Sequence, residues 1–297
     1  MKEHVERIED CDGKQVDALV ERVDKLVKRM RGELYEKIKG NVSSGELINS
    51  QCPLEIIALF LKTKRSPIPT MFHVITPYKT NIHNIQSKPD ECFLVEQNLW
   101  ALYLWDLYAR RETIDDFSFN DYDNILVDCF SILEGRKNPC MCLMLWLFPK
   151  LVTKDRIKSV EDILRESKVA TWWLRDKMLF WLACMENENC SQEKVREIEE
   201  QIRELQLDSG AFATVEGKKE TGDLISSAIG LLVLISCAMR KDSDGIVVDM
   251  AQKTVRWIVE HDVDESNMAW VFYALSEYVA CSDSEELTEE RGTVGER

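Results

Sequence analysis

Two kinds of helical segment alternate in the second half of the chain, and this alternation constrains the fold more than any other sequence feature. CMCLMLWLF (140–148) and LISSAIGLLVLISCAM (224–239) are apolar on nearly every face, whereas RIKSVEDILRE (156–166) and EKVREIEEQIREL (193–205) are apolar along one stripe. A helix that is apolar all round must be buried on all sides, and a striped helix covers a core from outside. The alternation therefore predicts an inner layer of buried helices and an outer layer of half-exposed ones.

Hydrophobic periodicity close to that of an α-helix predicts about twelve helices and no strand. The predicted segments are Val16–Ile38, Pro53–Lys62, Thr70–Ile85, Leu94–Ala109, Asn124–Leu133, Cys140–Leu151, Ile157–Glu166, Ala170–Met185, Glu193–Leu205, Leu224–Met239, Ile246–Val259 and Asn267–Ala280. About twelve helices make about six hairpins, the number that closes a ring with two layers. We therefore expect an all-α fold, a single (α/α)6 toroid-like barrel that spans residues 1–281.

Composition and charge set limits on partners and location. The net charge of −15 argues against nucleic acid or an anionic membrane surface as the main partner. No apolar run reaches the roughly 20 residues that a membrane-spanning helix needs. The N-terminus lacks the apolar core of a signal peptide, so we expect a cytoplasmic protein whose ten cysteines stay reduced. Residues 282–297 are acidic without apolar periodicity, which predicts a disordered tail.

Several motifs resemble those of one enzyme superfamily. Gln206–Phe212 (QLDSGAF), followed by Glu220-Thr221, resembles the Q-x-x-D-G-x-W repeat and helix start of squalene-cyclase and terpene-cyclase toroids. Gly45–Ser50 (GELINS) and Asp176–Met178 (DKM) are similar to segments of class II diterpene cyclases, the copalyl-diphosphate-synthase kind. Between them, Phe119–Ile125 (FNDYDNI) resembles the acid motif D-x-D-D-T of that family. The resemblance implies a class II terpene-cyclase-like isomerase that acts on an isoprenoid diphosphate.

The acid motif implies roles for three side chains. Asp123 matches the proton donor of the family motif, Asp121 would orient it, and Asn124 stands where the family has a third Asp. Protonating an alkene requires a strong acid, and hydrogen-bond donors that stabilise the conjugate base strengthen a buried carboxyl. The Asn124 amide could be such a donor. The family resemblance further implies Mg²⁺ bound together with a diphosphate substrate, and the sequence predicts no metal-ligand set in the protein itself.

A cyclase of this kind also encloses its substrate in an apolar cavity, where aromatic faces stabilise carbocations. The aromatic residues that we expect to line such a cavity lie on the apolar helices: Trp100, Trp105, Trp146, Trp173, Trp181, Trp270 and Tyr273. Aromatic residues at these positions are equally typical of core packing in a helical protein. The sequence leaves both interpretations open.

Two further alternatives stay open. Asp121 and Asp123 stand just before an apolar helical run, where Asp commonly caps a helix and contributes about 1 kcal/mol. Strict alternation also assigns the helix at 124–133 to the outer layer, whereas a proton donor must face the interior. The alternative function, from a different class, is a non-catalytic toroid or helical-repeat protein that binds a lipid or a protein partner. The sequence does not specify an oligomeric state.

Overall fold

The computed structural model describes residues 18–37, 85–112, 119–166, 174–186, 190–215, 221–240 and 245–292, and the structural statements below concern these residues. The helices are α1 (18–37), α2 (Cys92–Glu112), α3 (Phe119–Gly135), α4 (Cys140–Leu147), α5 (Lys154–Glu166), α6 (Leu174–Glu186), α7 (Gln192–Leu205), α8 (Leu224–Ala238), α9 (Gly245–Glu260) and α10 (Met268–Gly292). A 3-10 turn, Pro149–Leu151, follows α4. The described part contains no strand, only two isolated β-bridges, which confirms the all-α class.

Most predicted helices are present within a few residues of their expected ends, and two boundaries differ. Helix α3 starts at Phe119, five residues before the predicted start, so the acid motif lies within the helix. Helix α10 continues through Gly292, into the segment that the sequence predicts to be disordered. Glu, Leu and Arg are favourable helix formers, so a helix anchored by its buried first half can extend without an apolar stripe. The predicted segment Pro53–Lys62, the predicted segment Thr70–Ile85 up to residue 84, and the motif at Gly45–Ser50 lie outside the described residues.

Burial follows the predicted alternation in the second half of the chain. All eight residues of α4 are buried, and most of those in α6 and α8 are buried as well. By contrast, α5 buries only Val160 and Ile163, and α7 buries only three residues along one stripe. Each fully buried Leu or Met side chain contributes about 1.5–3 kcal/mol relative to exposure. Residues of this kind are concentrated in the inner helices, which therefore supply most of the core.

The buried helices are neighbours in chain order. Helix α2 packs on α4, α4 on α6, α6 on α8, and α8 on α10. The striped helices lie beside them: α3 packs on α4, while α7 and α9 both pack on α8. This order of contacts is typical of helical hairpins that pack side by side. Whether the row closes into a ring of six hairpins stays a prediction.

The connection from α7 to α8 holds three helices together. Gln206, directly after α7, donates its side-chain amide to the Gly210 carbonyl at 3.2 Å and to the Met250 carbonyl of α9 at 2.9 Å. Gly210 has a φ of +91°, and a Cβ there would lie 2.6 Å from the Lys253 carbonyl oxygen. Two residues on, the Phe212 ring packs directly against Gly230 of α8. The motif at Gln206–Phe212 thus forms a tight turn that is followed by a packed aromatic ring.

We expect Gly210→Ala to lower the free energy of unfolding by about 1–3 kcal/mol, because an L-residue is strained at positive φ and its Cβ meets backbone atoms. Gly32→Ala is the matched control. Gly32 lies within α1, and a Cβ added there would have no neighbour within 4 Å, so alanine should stabilise by about 0.5–1 kcal/mol. Urea unfolding followed by circular dichroism measures both changes. Equal effects of the two substitutions would contradict the structural role of the Gly210 turn.

Candidate functional site

The described polar side chains of the acid motif, those of Asp123 and Asn124, lie at the protein surface. Asp123 is on α3, its side chain is 49% exposed, and its carboxylate forms an ion pair with Lys150 of the 3-10 turn. The Lys150 ammonium also lies 4.9 Å from the centre of the Tyr122 ring. Asn124 is exposed, and the side chain of Asp121 is outside the described set. Neither Asp123 nor Asn124 therefore lines an enclosed apolar space.

The position of α3 explains this arrangement. Leu126, Phe130 and Leu133 form its buried stripe, whereas Asn124 and Asp128 are on the exposed side. Helix α3 is thus a striped helix that covers α4, as strict alternation expects. Asp123 lies in the second turn of α3, and its side chain binds Lys150. Asp123 therefore does not cap the start of the helix, which was the alternative role for this residue.

Three of the predicted substrate-lining tryptophans pack on one another. Trp100 of α2, Trp146 of α4 and Trp270 of α10 are all buried. The Trp146 and Trp270 rings stack with centroids 5.7 Å apart, and Trp100 meets Trp270 edge-on at 5.4 Å. Tyr273 meets Trp146 edge-on at 6.3 Å, and burial raises the pKa of its hydroxyl. We call these four residues the aromatic cluster.

The other aromatic residues that the sequence predicts to line a cavity are not part of the aromatic cluster. Trp181 is buried on α6, where the Lys177 ammonium lies 5.2 Å from its ring centre. Trp105 belongs to α2, but its side chain is not described, and Trp173 lies outside the described residues.

The aromatic cluster also makes one polar contact that the sequence does not predict. The Trp146 indole donates a 2.9 Å hydrogen bond to Glu186 at the end of α6.

A second polar group lies where α2 meets α6. The Arg175 guanidinium binds the Glu96 carboxylate at 2.9 Å and lies 3.8 Å from the carboxylate of Asp176, which is buried. Burial alone would lower the pKa of Arg175, but the two carboxylates outweigh it and raise that pKa. Removing one partner of such a pair leaves an uncompensated charge, which typically costs about 3–5 kcal/mol. Asp176 therefore has a structural role here. Glu96 is 79 residues from Arg175, so nothing in the local sequence indicates this contact.

No group of three or more His, Cys, Asp or Glu side chains in the described ranges could hold a metal ion. Cys142 is fully enclosed in α4, and burial raises its thiol pKa well above the ordinary value, which does not favour the thiolate that binds metals. A shallow groove of about 350 Å³ runs along α5 and is lined mostly by charged side chains. Such a lining does not suit an isoprenoid chain. The predicted Mg²⁺ stays a prediction.

Comparison with protein-family models, curated proteins and solved structures finds no match to this chain. Within the described residues, no helix has both the length and the apolar character needed to cross a membrane. A functional proposal therefore rests on the geometry of the chain itself.

The aromatic cluster predicts energetic coupling between the first and last buried helices. In a double-mutant cycle of Trp100→Leu and Trp270→Leu, we expect a coupling free energy of about 0.5–1.5 kcal/mol, the usual range for an edge-on aromatic pair. Trp257 of α9 provides the control, because its ring stacks on His261 at 3.9 Å. A cycle of Trp100→Leu with Trp257→Leu should be additive within about 0.5 kcal/mol. Additivity in both cycles would contradict the contact between α2 and α10.

Proposed function

We propose that this chain is a non-catalytic, toroid-like helical protein that binds another protein. One observation carries the proposal: the tryptophan rings that the sequence predicts to line a cavity contact each other. The position of Asp123 supports it, because its carboxylate pairs with Lys150 at the surface and is not enclosed by apolar side chains. Neither of these two observations supports the terpene-cyclase hypothesis.

The toroid-like arrangement has its own support. Helices α2, α4, α6, α8 and α10 follow one another as neighbours, and the ends of this series meet through the contact between Trp100 and Trp270. An open superhelix would keep its first and last inner helices apart. We propose that the inner helices curve until the series returns on itself, with the aromatic cluster filling the centre.

The proposed docking surface is at one end of the α8–α9 hairpin. Met239, which follows α8, is 71% exposed, and Ile246 and Val248 in the first turn of α9 are 48% and 41% exposed. We call these three residues the apolar end patch. Single exposed apolar residues are ordinary, but several at one end of a hairpin favour an interaction site. Methionine is common at such sites because its side chain adapts to different partners.

Charge near the apolar end patch indicates the chemistry of the partner. The Cys281 thiol contacts the Met239 sulfur at 3.7 Å, which brings α10 beside the patch. From there α10 continues to Gly292 through a segment with five acidic residues and one Arg, SDSEELTEERG. The acidic composition of this stretch, which follows the contact at Cys281, favours a partner segment that is both apolar and basic. With a net charge of −15, the chain is poorly suited to bind an anionic lipid surface instead.

We also propose a cytoplasmic location. None of the cysteines in the described ranges forms a disulfide, although the Cys140 thiol contacts Cys92. Thiols that stay reduced are typical of a reducing compartment.

The first test separates this proposal from a cyclase. We expect the purified protein, incubated with farnesyl diphosphate, geranylgeranyl diphosphate or squalene in the presence and absence of Mg²⁺, to give no cyclised product by mass spectrometry. Asp123→Asn should behave identically and change the free energy of unfolding by at most about 1 kcal/mol, as for a surface ion pair. A cyclised product that Asp123→Asn abolishes would refute the non-catalytic proposal.

The second test addresses the docking surface. We expect a fluorescein-labelled synthetic helix of Lys and Leu residues to bind the full chain, with affinity that falls as salt rises. The double variant Met239→Ser/Ile246→Ser should weaken binding at least tenfold, whereas Tyr35→Ser, which removes an apolar side chain exposed to 43% on α1, should not. Fluorescence anisotropy measures all three. If both variants lost the same amount of affinity for the peptide, or if neither lost any, the apolar end patch would be excluded as the binding surface.

A further inference from the structure

Cys92 lies in surroundings unlike those of the other described cysteines. It is the first residue of α2, a helix of 21 residues, and it is exposed to solvent. The start of a helix carries a partial positive charge, which favours a negative sulfur over a neutral thiol. By contrast, Cys129, Cys142, Cys184 and Cys237 are buried among apolar side chains.

A buried asparagine binds the Cys92 sulfur. Asn138, in the turn between α3 and α4, is only 4% exposed. Its side-chain amide donates to the Cys92 sulfur at 3.4 Å and to the Pro89 carbonyl, while its carbonyl oxygen accepts from the Cys140 backbone at 2.8 Å. Asn138 therefore holds the start of α2 against the start of α4 and supplies a hydrogen-bond donor to the sulfur.

A second thiol completes the site. Cys140 is buried, and its thiol donates to the Cys92 carbonyl oxygen at 3.3 Å. The neighbouring Cys140 thiol, opposed in part by burial, lowers the pKa of Cys92 to about 6, with smaller contributions from Asn138 and Arg175. The same contact and burial raise the pKa of Cys140, so the proton stays there. The other charged groups near the pair are Glu96 and Asp176, both held by Arg175.

We propose that Cys92 is a site of covalent oxidation by hydroperoxides and that Cys140 is its resolving partner. The Cys92 thiolate attacks one oxygen of the peroxide, so that an S–O bond forms as the O–O bond breaks. The leaving hydroxide or alkoxide takes a proton from solvent, and Cys92 becomes a sulfenic acid. The Cys140 thiol then displaces water from that sulfenic acid to form a Cys92–Cys140 disulfide. Two thiols are oxidised by two electrons in total, and one peroxide is reduced.

The disulfide would join the start of α2 to the start of α4, which are 48 residues apart in sequence. Because Asn138 already holds these two helix starts together, oxidation fixes an arrangement that is present in the reduced protein. The inference does not depend on the proposed function, since it needs neither a cyclisation reaction nor the apolar end patch.

The test uses hydrogen peroxide with the full chain. We expect a peptide map to show Cys92 linked to Cys140 with the loss of two hydrogen atoms, and Cys140→Ser to accumulate a Cys92 sulfenic acid that dimedone traps. In reduced protein, alkylation of Cys92 by iodoacetamide should be half-maximal near pH 6. Cys190 is the matched control, because it is partly exposed and burial raises its thiol pKa.

Three results would overturn the proposal: equal pH profiles for Cys92 and Cys190, dimedone labelling that favours Cys190, or a disulfide that joins Cys92 to a different cysteine. If Cys140→Ser fails to fold, the peptide map and the pH profile of the wild-type protein still decide.

Discussion

The structure depends on one constraint: helices without a polar face must be covered on all sides. Helix α4 shows it most clearly, because every one of its residues is buried. It is covered by α2 and α6 as inner neighbours and by α3 as a striped helix. The same solution recurs around α8, which contacts α6, α10, α7 and α9. The order of apolar and striped segments along the chain thus determines which helices pack together.

This constraint explains why much of the fold could be predicted from the sequence and the site could not. Helix type and burial are local properties of periodicity, so α4, α5, α7 and α8 match their predicted faces. The motif at Gln206 to Phe212 also encodes its geometry locally, through a glycine at positive φ and an aromatic ring beside Gly230. The resemblance of FNDYDNI to an acid motif is equally local. Whether Asp123 faces a cavity depends on the orientation of α3 relative to α4 and Lys150, which the motif does not contain.

Long-range contacts were beyond sequence reasoning for the same reason. Nothing near Trp100 indicates that it meets Trp270, and nothing near Cys92 indicates that Asn138 and Cys140 bind it. The alternation predicts only that tryptophans of the inner helices are buried. It does not say whether they line a hollow or fill it, and that distinction separates an enzyme with an enclosed substrate from a scaffold with a filled centre.

The filled centre is the central claim, and proximity of the tryptophan rings tests it most directly. In deuterated protein with protonated tryptophan side chains, nuclear Overhauser spectra should show cross-peaks between indole protons of Trp100 and Trp270 and between those of Trp146 and Trp270. Single Trp→Phe variants assign the signals. Absence of both cross-peaks in the folded protein, with water or added squalene in contact with the rings instead, would contradict the account.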